Sequence, residues 1–173
     1  MKKWIKIVLW IVATPVAVIG ILLLSYIIMN TQGVIAPFEA GSPQSSYKIL
    51  IASQGSEFKE SLVGKIIDQF ETPETYFSVI DCTSLQDIRI EDWSAIIIIH
   101  TMQIHKMPAK AKKFLDEADD FSNIMLVCTS GGGDEIFTDY DVDAISSASR
   151  MNKIPAIIGW IGNRLEESKI ASN

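Results

Sequence analysis

Residues 7–29 contain no Lys, Arg, His, Asp or Glu, and this charge-free run constrains the chain more than any other feature. As a helix, a run of this length spans about 34 Å, enough for a bilayer core of about 30 Å. A secretory leader has an apolar region of only about 7–15 residues, so the run is expected to be one transmembrane anchor. The small residues Ala36 and Ala40 keep cleavage as the alternative. Lys2, Lys3 and Lys6 precede the run, and no further basic residue comes before Lys48. The positive-inside rule then puts the N-terminus in the cytoplasm and the rest of the chain on the non-cytoplasmic side. Trp4, Trp10 and Tyr26 fit interfacial positions. Pro15 is expected to kink the helix, with Thr14 satisfying a freed backbone group.

Residues 1–29 are therefore read as the anchor, 30–46 as an extended linker and 47–173 as a folded domain. The linker reading rests on Gly33, Pro37, Gly41 and Pro43 and on the lack of apolar periodicity. From residue 46 onward there are 12 basic and 20 acidic side chains, a net charge of −8. A domain this acidic is no partner for nucleic acid, whose affinity rests on Lys and Arg neutralising phosphates. Two cysteines exclude a disulfide scaffold and a Cys-based zinc site.

Within the domain, residues 47–52 (YKILIA) read as a buried strand closed by a turn at Ser53-Gln54-Gly55-Ser56. Phe58, Leu62, Val63, Ile66, Ile67 and Phe70 follow at helical spacing, with charges between them, until Pro73 stops the helix. Residues 76–81, 95–100 and 123–129 read as strands, and 142–147 as a weaker one. Helices are expected over Met107 to Ala118, with Pro108 in the first turn, and from near Pro155 onward. The order implies an α/β domain with a mostly parallel sheet and flanking helices. Two connections, after the second and fourth strands, have only about a dozen residues. Short helical turns are expected there rather than an antiparallel strand.

Ligands of such sheets sit outside the carboxyl ends of the strands. The sequence places Ser53, Gln54, Gly55 and Ser56 after the first strand, and Thr101 and Met102 after the third. Thr129, Ser130, Gly131 and Gly132 follow the fourth. Hydroxyls and glycines of this kind let backbone amides approach a phosphate. The stretch ILIASQGSEFKESLVGKI resembles the first strand, phosphate loop and first helix of flavodoxin-like proteins. LVCTSGGGDE is similar to their fourth strand and the loop bordering the flavin. The resemblance covers about residues 47–168 and implies FMN as cofactor, with Ser53, Gly55 and Ser56 at its phosphate. Glu57 departs from it, standing where the family has a small neutral residue. Tyr140 and Phe137 are the nearest aromatics in sequence for stacking on the ring. Residues 143–149 are also similar to the attachment motif of covalent FMN-binding domains, which implies Ser149 as acceptor. Ser147 replaces the motif's glycine, so no covalent adduct is expected.

His100 and His105 are expected as exposed loop residues rather than metal ligands. Cys82 and Cys128 are expected as free, half-buried thiols, and Trp93 as packing. Ser130 lacks the strained elbow of a hydrolase nucleophile. The acidic residues around 116–120 read as a solvated helix face. Two functions remain open. One is an FMN-binding electron-transfer module with a redox or membrane-protein partner. The other is a non-catalytic flavodoxin-like scaffold or binding subunit at the membrane surface.

Overall fold

The computed structural model describes the backbone of residues 3–30, 32–103, 105–136 and 139–171. Its chain order is α1 (Lys3–Asn30), β1 (Gly33–Val34), β2 (Phe38–Ala40), β3 (Tyr47–Gly55), α2 (Glu57–Phe70) and β4 (Thr75–Asp81). Two 3-10 turns, Cys82–Asp87 and Ile90–Asp92, lead to β5 (Ala95–Thr101), α3 (Ala109–Asp116) and β6 (Ile124–Ser130). Strand β7 (Asp143–Ala148) and α4 (Ile154–Ala171) complete it. The chain divides into two compact units, 1–31 and 32–173.

In the second unit the sheet order is β2-β4-β3-β5-β6-β7. The five strands β4-β3-β5-β6-β7 pair in parallel, from Tyr47 opposite Thr75 to Ser130 opposite Ala148. Counted in chain order among themselves, these five run 2-1-3-4-5, the order of flavodoxin-like sheets. The apolar runs explain why both faces are covered, because successive side chains of a strand point to opposite sides. Ile49, Ile51, Ile97, Ile99 and Val127 pack with Leu62 and Ile66 of α2 and Ile157 and Ile161 of α4. Leu50, Ala52, Ile96, Ile98 and Leu126 pack with Leu85, Ala111, Phe114 and Leu115 on the other face.

The short connection after β4 is made by 3-10 turns, as expected, the first capped by Asp81 accepting from the Thr83 amide. The connection after β6 contains no helix among the described residues. There Gly133 has φ +84° and sits so close to β7 that a Cβ would lie 2.3 Å from the Ala148 nitrogen, which leaves glycine the one residue that fits.

The stretch expected as a linker is corrected by the sheet. Gly33 and Val34 pair antiparallel with Gly55 and Gln54, and Phe38–Ala40 pair antiparallel along β4. Ile35 is buried between them, and its amide donates to Asp81 Oδ2 at 3.2 Å. An extended segment with few side chains of its own becomes ordered when an open strand edge supplies its hydrogen bonds.

In the first unit, α1 contains Pro15, and the described apolar side chains from Leu9 to Leu24 are exposed. Thr14 Oγ1 donates to the carbonyl of Trp10, its own turn, and not to the Ile11 carbonyl that Pro15 leaves without its helical donor. Among the described residues no helix is long and apolar enough to cross a membrane. The side chains of 5–8 and 26–30 are not among those described. The span expected over 7–29, with Tyr26, thus lies partly outside the described residues.

Candidate functional site

The sites expected after the first strand do not form a loop. β3 continues through Ser53 and Gln54 to Gly55, and α2 starts at Glu57, leaving Ser56 alone between them. Ser56 is the N-cap, its hydroxyl accepting from the Lys59 amide at 3.3 Å. Ser53 is buried and donates to the Gln54 carbonyl. Gly55 lies under β1: a Cβ there would meet the Val34 backbone at 2.7 Å. The space of a phosphate loop is therefore filled by the chain's own strand.

The carboxyl edge has a different centre, Lys59 in the first turn of α2. The residue is 1% exposed, yet among the described residues its ammonium has only neutral oxygens as hydrogen-bond partners. Nζ donates to Thr101 Oγ1 at 2.6 Å, to Gln32 Oε1 at 2.7 Å and to Gln54 Oε1 at 3.4 Å. Burial pushes its pKa down to about 8, with the nearby Cys82 thiol acting weakly the other way. Thr101 ties this centre to the sheet: its amide donates to Gln54 Oε1 and its hydroxyl pairs with that of Thr129 at 3.1 Å.

Lys59 borders a cleft of about 370 Å³. Ser56, Glu57 and Phe58 line it from the start of α2, and Ser130 and Gly131 from the end of β6. Ser149 and the exposed Arg150 close it beyond β7. It lies outside the carboxyl ends of β3, β5 and β6, at the point where the strand order reverses direction. Of the remaining expected residues, Met102 is buried in the apolar core and Thr129 donates inward to the His100 carbonyl. The Ser130 hydroxyl accepts the Gly133 amide, and Gly132 faces the Asp134 carboxylate. Thus Ser56, Thr101, Ser130 and Gly131 reach the cleft, with Gln54 behind Lys59. Ser53, Gly55, Met102, Thr129 and Gly132 do not line it.

Lys59 was missed as a site residue although its signal is in the sequence. Positions 59, 62, 63, 66 and 67 form one helical stripe, and Lys59 is its one charged member. Gln32 and Arg150 carry no comparable signal.

The other expectations fall out differently. His100 is fully buried in β5, not in a loop, with Nε2 3.4 Å from Cys128 Sγ. Burial brings its pKa down to about 4, so the ring is neutral. His105 is exposed, with φ +58°. Among the described residues no group of three His, Cys, Asp or Glu could hold a metal. Both cysteines are fully buried rather than half-buried. Trp93 stacks on Tyr76 with ring centroids 6.3 Å apart, which is packing. Tyr140 packs on Phe121 and bonds Asp116 and Lys112, away from the cleft, and Phe137 lies outside the described residues. Asp143–Ala148 is a sheet strand, with Ser147 buried and Ser149 at the cleft mouth. A larger cavity, about 550 Å³, lies near Arg89, Trp93 and Asn123, but it has no buried charged group.

FMN does not fit the residues that were expected to hold its phosphate. The loop is absent, the Ser56 hydroxyl is used as a cap, and Glu57 stands at the helix start. The aromatic side chain in the cleft wall, Phe58, is packed in the core and offers no face for a flavin ring.

No protein family model matches the chain, and no curated protein matches it. Among solved structures, a mutant flavo di-iron protein from Thermotoga maritima is similar with a TM-score of 0.43 and 16% identity. The match covers 72% of this chain and 37% of that one, so this chain spans just over a third of that protein's length.

Proposed function

We propose that the chain is a membrane-anchored flavodoxin-like binding subunit rather than a flavin-carrying electron carrier. The observation that carries this reading is β1 lying on Gly55, which fills the place of the phosphate loop. The carboxyl edge then offers a polar cleft built around Lys59. A second reading, FMN-dependent electron transfer with a redox partner, is supported by the 2-1-3-4-5 strand order and by a cleft at the reversal point. The full chain purified in detergent and titrated with FMN separates the two. The expected result is no flavin absorption after purification and no change in FMN fluorescence on mixing. A yellow protein, or saturable quenching of FMN, would restore the second reading.

The membrane part of the proposal is supported by exposed side chains of α1 such as Leu9, Trp10, Ile11, Leu22 and Leu23, which need an apolar cover. Lys2, Lys3 and Lys6 on one side of the apolar run, with none before Lys48 on the other, support a cytoplasmic N-terminus. Reporters fused after Asn173 are expected to be active only as non-cytoplasmic enzymes. Recovery of the chain in the soluble fraction, or protection of the domain from protease added to intact cells, would overturn the anchoring or its orientation respectively.

A further inference from the structure

Lys59 poses the strongest question in the domain. A buried ammonium with no carboxylate partner among the described residues is costly relative to water, and nothing in the fold requires it. The same position in the apolar stripe would take Met or Leu. Its three acceptors are amide and hydroxyl oxygens, which hold a cation less strongly than an anion does. Gln32, the acceptor at 2.7 Å, lines the cleft itself, so an incoming anionic oxygen has a place to replace it. Across the cleft stands Arg150, whose planar fork matches the oxygens of a phosphate. Thr101 and Ser149 also line the cleft, and the Ser130 hydroxyl is already committed to Gly133. Glu57 is the one carboxylate in the lining, so Lys59 and Arg150 together leave it net positive within a domain of net charge −8.

We propose that the cleft between Lys59 and Arg150 binds the phosphate group of a small polar phosphomonoester. This rests on the reading of the domain as a binding subunit and names the ligand class of that same cleft. The volume, about 370 Å³, is at the small end of ligand pockets and suits a compact ligand. Phosphate oxygens take the Nζ donors that Gln32 now occupies and accept from the Arg150 guanidinium. The apolar remainder expected for a flavin has no aromatic surface here to rest on. Because the chain is proposed to be membrane-anchored, the phosphate has two sources, a soluble monoester or an exposed lipid headgroup.

The test is calorimetric titration of the full chain in a neutral detergent with inorganic phosphate and with glycerol phosphate. A parallel flotation assay uses vesicles of neutral lipid with and without phosphatidic acid. Saturable phosphate binding is expected, weakened about tenfold or more by Arg150→Ala and by Lys59→Met. Arg150 is exposed, so its variant tests the site without disturbing the core. Lys110→Ala, at an exposed position of α3, should bind as the wild type does. Domain-dependent flotation that needs phosphatidic acid and is lost in Arg150→Ala would assign the phosphate to a lipid. Absence of binding in both assays, or binding unchanged in both variants, would overturn the proposal. FMN binding lost in Arg150→Ala would keep the phosphate site while removing the binding-subunit reading, so the two failures are told apart.

Discussion

Lys59→Met is expected to make the domain more stable than the wild type below pH 8, with the advantage disappearing as pH rises toward 10.5. An unfolded lysine keeps its proton up to about 10.5, whereas burial lets folded Lys59 release it near 8. Between those values the unfolded chain binds more protons, so the lysine's contribution to stability rises with pH. Below 8 the group is charged in both states and its full penalty is present. A depression of this size corresponds to about 3 kcal/mol. The methionine removes the charge and leaves few orphans: Gln54 Oε1 still accepts the Thr101 amide, and the Thr101 hydroxyl still has Gln32 and Thr129. Cys82 acts in the opposite sense. Burial, with help from Asp81, raises its pKa from 9.0 to about 12, so the thiol lowers stability as pH passes above 9. Urea unfolding of wild type and variant in parallel at pH 7, 8.5 and 10 reads chiefly the lysine, because Lys59 acts on Cys82 less than burial and Asp81 do. A difference that does not shrink with pH would show that folded Lys59 keeps the ordinary pKa of a solvated or acid-paired lysine.

Gly55→Val should free β1 from the sheet. Its added side chain starts 2.7 Å from the Val34 backbone, and the neighbour in the way is main chain, which has no rotamer to change. The pairs Gly33–Gly55 and Val34–Gln54 are lost together, and the Ile35 amide is pulled from Asp81. A cost of about 1–3 kcal/mol is expected, as for other overpacked sites. Limited proteolysis would show new cleavage between residues 32 and 37, while the parallel strands stay protected from hydrogen exchange. Loss of Gln32 from Lys59 should accompany it. A valine variant with unchanged proteolysis and midpoint would mean that β1 has room to yield and that Gly55 leaves space for a phosphate loop.

Much of the parallel core was legible because its strands are continuous apolar runs. AIIIIHT at residues 95–101 has no polar face to present, so it fits only a strand covered on both sides, and it stands in the sheet between β3 and β6. Lys59 was legible in principle, from its place in the stripe of Leu62, Val63, Ile66 and Ile67. The usual expectation that a lysine faces water hid it. β1 and β2 were not legible, since Gly33-Val34 and Phe38-Glu39-Ala40 have no periodicity and acquire strand geometry only from the edges of β3 and β4. The length of β3 followed the same rule. Ser53, Gln54 and Gly55 look like a turn by composition, but β4 and β5 hold Ser53 extended and β1 holds Gln54 and Gly55.

Taken by itself, the sequence determined which residues are apolar, how they repeat, and how charge divides along the chain. Those properties are local, and they were sufficient for an α/β sheet and for an acidic domain behind an apolar run. What stands at the carboxyl edge was decided by the tertiary structure alone. Gln32, Gln54, Lys59 and Thr101 are up to 69 positions apart, and they meet because β3 pairs with β5 and β1 pairs back onto β3. Hydrogen-bond complementarity between distant strands is not encoded in any one segment, so a loop expected to hold a phosphate became a covered strand, and a helix lysine became the centre of the site.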